Sequence, residues 1–254
     1  METSRHGTRI FRHGSPSWGD APIETRESTK STMDDALDLA RAGCPTGTVV
    51  VAGFQEKGRG RVPGRSWLSP PWESLLATIV IRGRDLPCPL GELPLRAGIA
   101  FARAVEEAAG ITVHIKWPND LVVDGRKLAG VLCEAHGDIV LAAIGVNCLQ
   151  RSFPPEIEGT ACSLLLLTGR RIAPLSLVPG IRKRLEAGLA STGWREELER
   201  RLWGMGTRVR VDLLGSGRSI EGVLRGVDES GRLLVARDDG GVEAVSQGEL
   251  SAGR

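Results

Sequence analysis

The chain has no tyrosine, and aromatic residues make up only 4% of it. That leaves little stacking surface for bases and weighs against a non-enzymatic RNA-binding module built on aromatic platforms. Nor is there an excess of one charge. With 33 Lys and Arg against 31 Asp and Glu, a formal net charge of +2, no global field gathers polyanions or lipid headgroups, so cation clusters are judged locally. No apolar run approaches the roughly 20 residues that span a bilayer. The opening METSRHGTRIFRHG also lacks the apolar core of a secretory signal. Cysteines in metal or disulfide spacing are missing as well. The five, Cys44, Cys88, Cys133, Cys148 and Cys162, are odd in number, with no Cys-x-x-Cys pair and no histidine at zinc spacing. Packed, reduced thiols are expected, in the cytoplasm and with no membrane partner.

What remains is an ordinary globular composition, 41% hydrophobic and 25% charged over 254 residues, enough for one large domain with or without a small one. The first 27 residues are polar and aperiodic and offer at most a strand near Thr8–Arg12. At Ser31 or Thr32 an N-cap precedes DDALDLARAG, with acids in the first turn and Gly43 as the stop, so a helix is expected. A strand over Thr48–Ala52, a buried strand over Leu75–Arg82 and a helix over Glu92–Ala109 closed by Gly110 follow. From Ile111 to Trp117 apolar and polar residues alternate, which predicts a half-buried strand with Lys116 on the polar side. Leu121–Val123, the Asp124-Gly125 turn, Lys127–Glu134, a second turn at His136-Gly137-Asp138 and Ile139–Asn147 then predict three antiparallel strands. Two helices fill Leu175–Leu202. Beyond the hinge at Gly204–Gly206, four short strands (TRVRVDLL, SIEGVLRGV, RLLVAR and VEAVS) predict a small SH3-like barrel. The expected divisions are an extension over 1–27, a catalytic domain over 28–204 and the barrel over 205–254.

Chemistry concentrates in a few places. Between Gln55 and Trp67 one loop carries Lys57, Arg59, Arg61 and Arg65 with Gly58, Gly60 and Gly64. Glycines let backbone N–H groups approach phosphate oxygens, and arginines supply planar paired donors. No Walker GK[ST] and no G-x-G-x-x-G opening a helix is present. On composition alone a solvated basic loop or an RGG-like RNA contact accounts for it about as well as a nucleotide's phosphates. In His114-Ile115-Lys116-Trp117-Pro118-Asn119-Asp120 a strand ends in a turn bearing a lysine, an amide and a carboxylate. Such a lysine can bring a carboxylate and a phosphate together against their mutual repulsion. Turn residues and a solvated strand lysine account for the same letters. Arg126-Lys127-Leu128-Ala129-Gly130 lies at a hairpin, and Gly145 and Asn147 interrupt an apolar strand in Ala143–Asn147, a sign of close ligand approach or a bulge.

Taken together and in order, Ser31-Thr32, the Gln-x-x-Gly-Arg-Gly-Arg loop and Lys-Trp-Pro-Asn-Asp resemble the biotin protein ligase family. The motifs cover about Ser31 to Asn147. The resemblance implies an α+β fold, a mixed, largely antiparallel sheet flanked by helices as in class II aminoacyl-tRNA synthetases, with the small C-terminal barrel. It implies an ATP-dependent ligase that makes biotinyl-5′-AMP and transfers biotin to a lysine of the carrier domain of acetyl-CoA carboxylase or a related carboxylase. Biotin would be held by Ser31, Thr32, Gln55, Gly58 and the backbone of Arg59, with Gly130 and Gly145 lining the pocket. Lys116 would meet the biotin carboxylate and the α-phosphate. Arg61, Arg65 and Lys127 would address the triphosphate, with Lys116 and Arg61 the catalytic pair. Trp67, Asn119 and Asn147 would border the nucleotide, and Asn119 or Asp120 would stand near Mg2+. A lipoate or octanoate ligase or transferase is the alternative, which the biotin-type loop disfavours. Relatives that repress transcription carry an N-terminal winged helix for which about 27 residues do not suffice, so no nucleic-acid partner is expected. A homodimer through the central sheet is left open. Three departures from the family pattern bear on the loop: Val62 and stiff Pro63 fill a one-residue gap, Trp72 stands where Gly is usual after Ser-Pro-x, and Met33 replaces an Asn.

Overall fold

The computed structural model describes residues 17–62 and 64–253. The strand expected near Thr8–Arg12 and the stiffening expected of Pro63 fall outside them. The chain order is β1 (Ile23–Thr29), α1 (Thr32–Arg41), β2 (Val49–Gln55), β3 (Ser74–Arg82), α2 (Leu93–Ala109), β4 (His114–Lys116), β5 (Asp120–Val123), β6 (Arg126–His136), β7 (Ile139–Asn147), α3 (Leu164–Thr168), α4 (Val178–Leu189) and α5 (Trp194–Arg201). The strands form one seven-stranded sheet in the order β1-β2-β3-β7-β6-β5-β4. Only β1 and β2 run parallel. Parallel neighbours need a crossover, and α1 supplies it. All the other ladders of this sheet are antiparallel.

Strand parity gives the sheet two different faces. Leu75, Ala77, Ile79 and Ile81 of β3 pair with Val146, Ile144, Ala142 and Val140 of β7, and all eight are buried in the main core with Phe101 of α2 and Leu185 of α4. On the other face Met33, Ala36 and Ala40 of α1 pack on Val50, Val80, Leu141 and Ala143. Beyond α1 that face runs out of large side chains. One register row reads Ala52, Leu76, Gly145, Gly130 and Asp120, with two glycines side by side.

Several expectations need correction. β1 crosses the division expected at residue 28. Its sequence, IETREST, buries little because it is an edge strand, and no apolar period betrays it. β4 is only three residues long, pairing along its length with β5 and by one isolated bridge at Ile115 with Leu202, although burial does alternate from Ile111 to Trp117 as the sequence implies. Its outer edge is covered where Trp203 donates its backbone N–H to the Ile115 carbonyl at 2.9 Å. α3 was not anticipated. The barrel has five strands rather than four: β8 (Arg208–Asp212), β9 (Ser219–Val227), β10 (Leu233–Ala236), β11 (Val242–Val245) and β12 (Glu249–Ala252). The additional one, β12, pairs with β8. The Trp117 indole N–H donates to the Gly231 carbonyl at 3.2 Å and ties the barrel to the turn after β4.

Candidate active site

The sheet's glycine row is where the motif residues meet. A Cβ on Gly145 would stand 2.7 Å from Cε2 of Trp67, and one on Gly130 would stand 3.1 Å from its Cζ3. The Trp67 indole therefore lies flat on both strands, and only glycine allows it so close. Trp67 separates two spaces. A cleft of about 230 Å3 is lined by Arg59, Arg61, Arg65, Lys116, Asn119, Asp120, Lys127 and, from the barrel, Glu249 and Leu250. A pocket of about 40 Å3 is lined by Ser31, Thr32, Gln55, Arg59, Leu132 and Gly145, among others. The Trp67 indole nitrogen is buried with no acceptor among the described residues.

The small pocket is built by the start of α1. Ser31 is the N-cap, its hydroxyl accepting from the Met33 N–H at 3.3 Å. Thr32 donates both its backbone N–H and its hydroxyl to the Gln55 side-chain oxygen, at 2.8 and 2.9 Å, and its hydroxyl meets that of Thr78 at 2.9 Å. Satisfied polar groups around a small space suit a ligand with a compact polar head. Met33, a departure from the family pattern, turns into the core beside Ala36.

The glycine-arginine loop is folded on itself as a hairpin. The Trp67 N–H donates to the Gly58 carbonyl at 3.1 Å, and the Gly60 N–H donates to the Arg65 carbonyl at 2.9 Å. A Cβ on Gly58 would collide with the Trp67 carbonyl at 2.6 Å. After the loop, Trp72 adopts φ 61°, in the left-handed region that favours glycine. Its ring rests on Gly53, leaving no room for a Cβ there, and its indole N–H donates to Glu27 of β1 at 3.0 Å.

Five cations line the cleft: Arg59, Arg61, Arg65, Lys116 and Lys127. Against them stand Asp120 and Glu249. Arg61 donates to the Gly248 carbonyl at 2.8 Å, and Arg65 lies 2.5 Å from Glu249. Burial presses the Arg61 pKa below its ordinary value, against the pull of Glu249 and Asp120. A cation short of solvation is a good partner for an incoming phosphate. The Lys116 amine sits 5.3 Å from the Trp203 ring centroid and the Lys127 amine 5.7 Å from that of Trp67. Lys127 also lies 2.8 Å from Asp120 Oδ1, yet that buried oxygen has no directed donor among the described residues.

Asp120 bears on magnesium. Among the described residues no cluster of three or more His, Cys, Asp or Glu could hold a metal. An under-satisfied carboxylate amid phosphate-seeking cations fits magnesium that arrives on a nucleotide, because Mg2+ is commonly held by one or two carboxylates plus substrate phosphates. The Asn119 amide N–H donates to the Val131 carbonyl at 3.0 Å.

Asn147 is not brought to either space. It is 6% exposed, and its amide donates to the Cys162 carbonyl at 3.0 Å and the Lys127 carbonyl at 3.5 Å. It fastens β7 to the backbone behind Lys127 and does not line the cleft. Sequence reasoning missed Glu249 and Leu250, which line the cleft through tertiary contact, Gly248, whose carbonyl accepts from Arg61, and Asp34 and Glu134, which flank Arg59 at 2.7 and 3.7 Å. Two of the barrel's arginines are paired too, Arg208 with Asp238 and Arg210 with Asp212 and Glu221. That surface is mixed in charge.

Residues 25–150 match the model of the biotin/lipoate A/B protein ligase family, and residues 205–253 match that of the biotin protein ligase C-terminal domain. The biotin–[acetyl-CoA-carboxylase] ligase of Mycobacterium tuberculosis is 33% identical over 241 residues, covering 90% of this chain and 88% of that one. This chain belongs to the biotin protein ligase family. The bifunctional ligase/repressor BirA of Bacillus subtilis is 31% identical over 88% of this chain and 71% of its own length. The structure of the Aquifex aeolicus biotin protein ligase in complex with biotin and ATP superposes with a TM-score of 0.78 at 30% identity, covering 91% of this chain and 97% of that one. Membership of this family accords with the α+β catalytic domain and C-terminal barrel. Among the described residues no helix is long and apolar enough to cross a membrane.

Proposed function

We propose that this chain activates biotin with Mg·ATP and transfers it to a lysine of a biotin carboxyl carrier domain of acetyl-CoA carboxylase or a related carboxylase, in the cytoplasm. One observation carries the reading: a small polar pocket at Ser31, Thr32 and Gln55 and a cleft holding Lys116, Arg61, Arg65 and Lys127 lie on either side of Trp67, which lines both.

The small pocket takes the ureido ring, and the acid's tail runs over the Gly130–Gly145 row toward Lys116. A carboxylate oxygen then attacks the α-phosphorus, and the bond to the β-phosphate oxygen breaks, giving the mixed anhydride and pyrophosphate. Lys116 neutralises the approach of two anions, while Arg61, Arg65 and Lys127 receive the charge that builds on the leaving group. Asp120 fits the magnesium carried by the nucleotide. In the second step the acceptor amine attacks the acyl carbon, AMP leaves, and the amine gives up a proton. No enzyme nucleophile is needed. Cys133, on β6, has its pKa pushed up to about 12 by burial and holds no thiolate for such a role.

The pocket as it stands has room for a water or two. Admission of a bicyclic ring therefore lifts Trp67 from the glycines, and the loop closes again over the adenylate, excluding water. Pyrophosphate release from Mg·ATP with biotin, lipoate or octanoate as the acid tests the reading. Release with biotin is expected. Release with lipoate alone overturns the substrate, and release with none overturns the reaction.

A further inference from the structure

Arg59 differs from the other arginines of its loop. Arg61 and Arg65 turn to the barrel, whereas Arg59 lines both the cleft and the small pocket and reaches outward between two carboxylates. Its Nη1 lies 2.7 Å from Asp34 Oδ1 and its Nε 3.7 Å from Glu134 Oε1. Asp34 is in the first turn of α1, one residue after the pocket-lining Met33. Glu134 is on β6, two residues beyond the pocket-lining Leu132 and so on the same sheet face. Its other oxygen lies 3.1 Å from His136 Nε2. The Arg59 side chain thus spans from one wall of the small pocket to the other, and its backbone is bridged to Ser66 within the hairpin.

On the strength of the ligase reading above, we propose that Asp34 and Glu134 are positioning residues that hold Arg59 as a strap across the mouth of the biotin pocket. The strap has two effects. It fastens the first arginine of the loop to α1 and β6, so that the Gly58–Arg59 backbone keeps its place beside the ring. It also cancels two carboxylates that would otherwise repel an anionic acid on its way in. The three side chains are 41%, 49% and 29% exposed, so each link is modest and screened by salt.

The second effect distinguishes the strap from a merely structural contact. Removing the arginine leaves two uncompensated charges, so further removal of the acids repairs part of the damage. The test is equilibrium binding of biotin to the full chain, with KM and kcat for adenylation, for D34N, E134Q, D34N/E134Q, R59Q and R59Q/D34N/E134Q. Each single acid variant is expected to weaken biotin binding about 3-fold and the pair about 10-fold, as a rise in KM with kcat little changed. R59Q is expected to bind more weakly still, and the triple variant to bind better than R59Q, the gain shrinking in high salt. Unchanged affinity in D34N/E134Q, or a triple variant no better than R59Q, overturns the strap while wild-type binding leaves the ligase reading standing. A wild-type chain that binds no biotin overturns both.

Discussion

The two faces of the central sheet are made from the same strands and do opposite work. Toward α2 and α4, β3 and β7 present Leu75, Ile79, Ile81, Ile144 and Val146, all at most 2% exposed. Toward the site, the same strands present Leu76, Thr78, Ala143 and Gly145, and β6 adds Gly130. Burying side chains stabilises a fold, and omitting them makes room for a ligand, so each strand alternates between stability and function with a period of two. A substitution on one face should change folding and leave chemistry; one on the other should do the reverse.

The largest expected effect is on the packed face. Ile79→Ala removes a fully buried side chain and should destabilise the protein by about 2–5 kcal/mol in urea unfolding, with kcat per folded molecule retained. On the other face Lys116→Ala should lower biotin-dependent pyrophosphate release about 10²–10³-fold, the loss typical of one preorganised charge-stabilising donor, with the unfolding midpoint unmoved. Gly145→Val follows. Its side chain would fill the glycine row over which the acid's tail runs, and should appear as weaker biotin binding by titration of tryptophan fluorescence. The smallest effect concerns the thiols of the core. Burial pushes Cys133 and Cys148 from the ordinary 9.0 up to about 12. Because the folded value is raised, their share of stability is whole below pH about 9 and is lost as the pH rises toward 12. At pH 8 they should resist alkylation in the folded protein, and ligase activity should survive alkylating agent. Rapid loss of activity would place a thiol in the chemistry.

The β5–β6–β7 meander was legible in the sequence because apolar runs are broken by Asp124-Gly125, where both residues have positive φ, and α1 because Ser31 caps it. β1 was not: IETREST has no apolar period, and its place at the sheet edge is fixed by its partner β2. β12 is equally quiet, a four-residue strand whose role is to bring Glu249 against Arg65, 184 positions away in sequence. The motif residues Lys116, Arg61 and Lys127 stand together in the cleft, whereas Asn147 lines neither space. The amide there is committed to two backbone carbonyls, a use that no local pattern announces. Asp34 and Glu134 carry no motif, and only the fold sets them on either side of Arg59.

The most direct test of the account is the formation of biotinyl-5′-AMP by the purified protein in the absence of any acceptor. Incubation with Mg·ATP and biotin should yield an adenylate bound to the enzyme, absent with lipoate and lost in Lys116→Ala, and consumed when a carrier domain is added. Undiminished adenylate in Lys116→Ala, or an adenylate formed from lipoate and not from biotin, would contradict it.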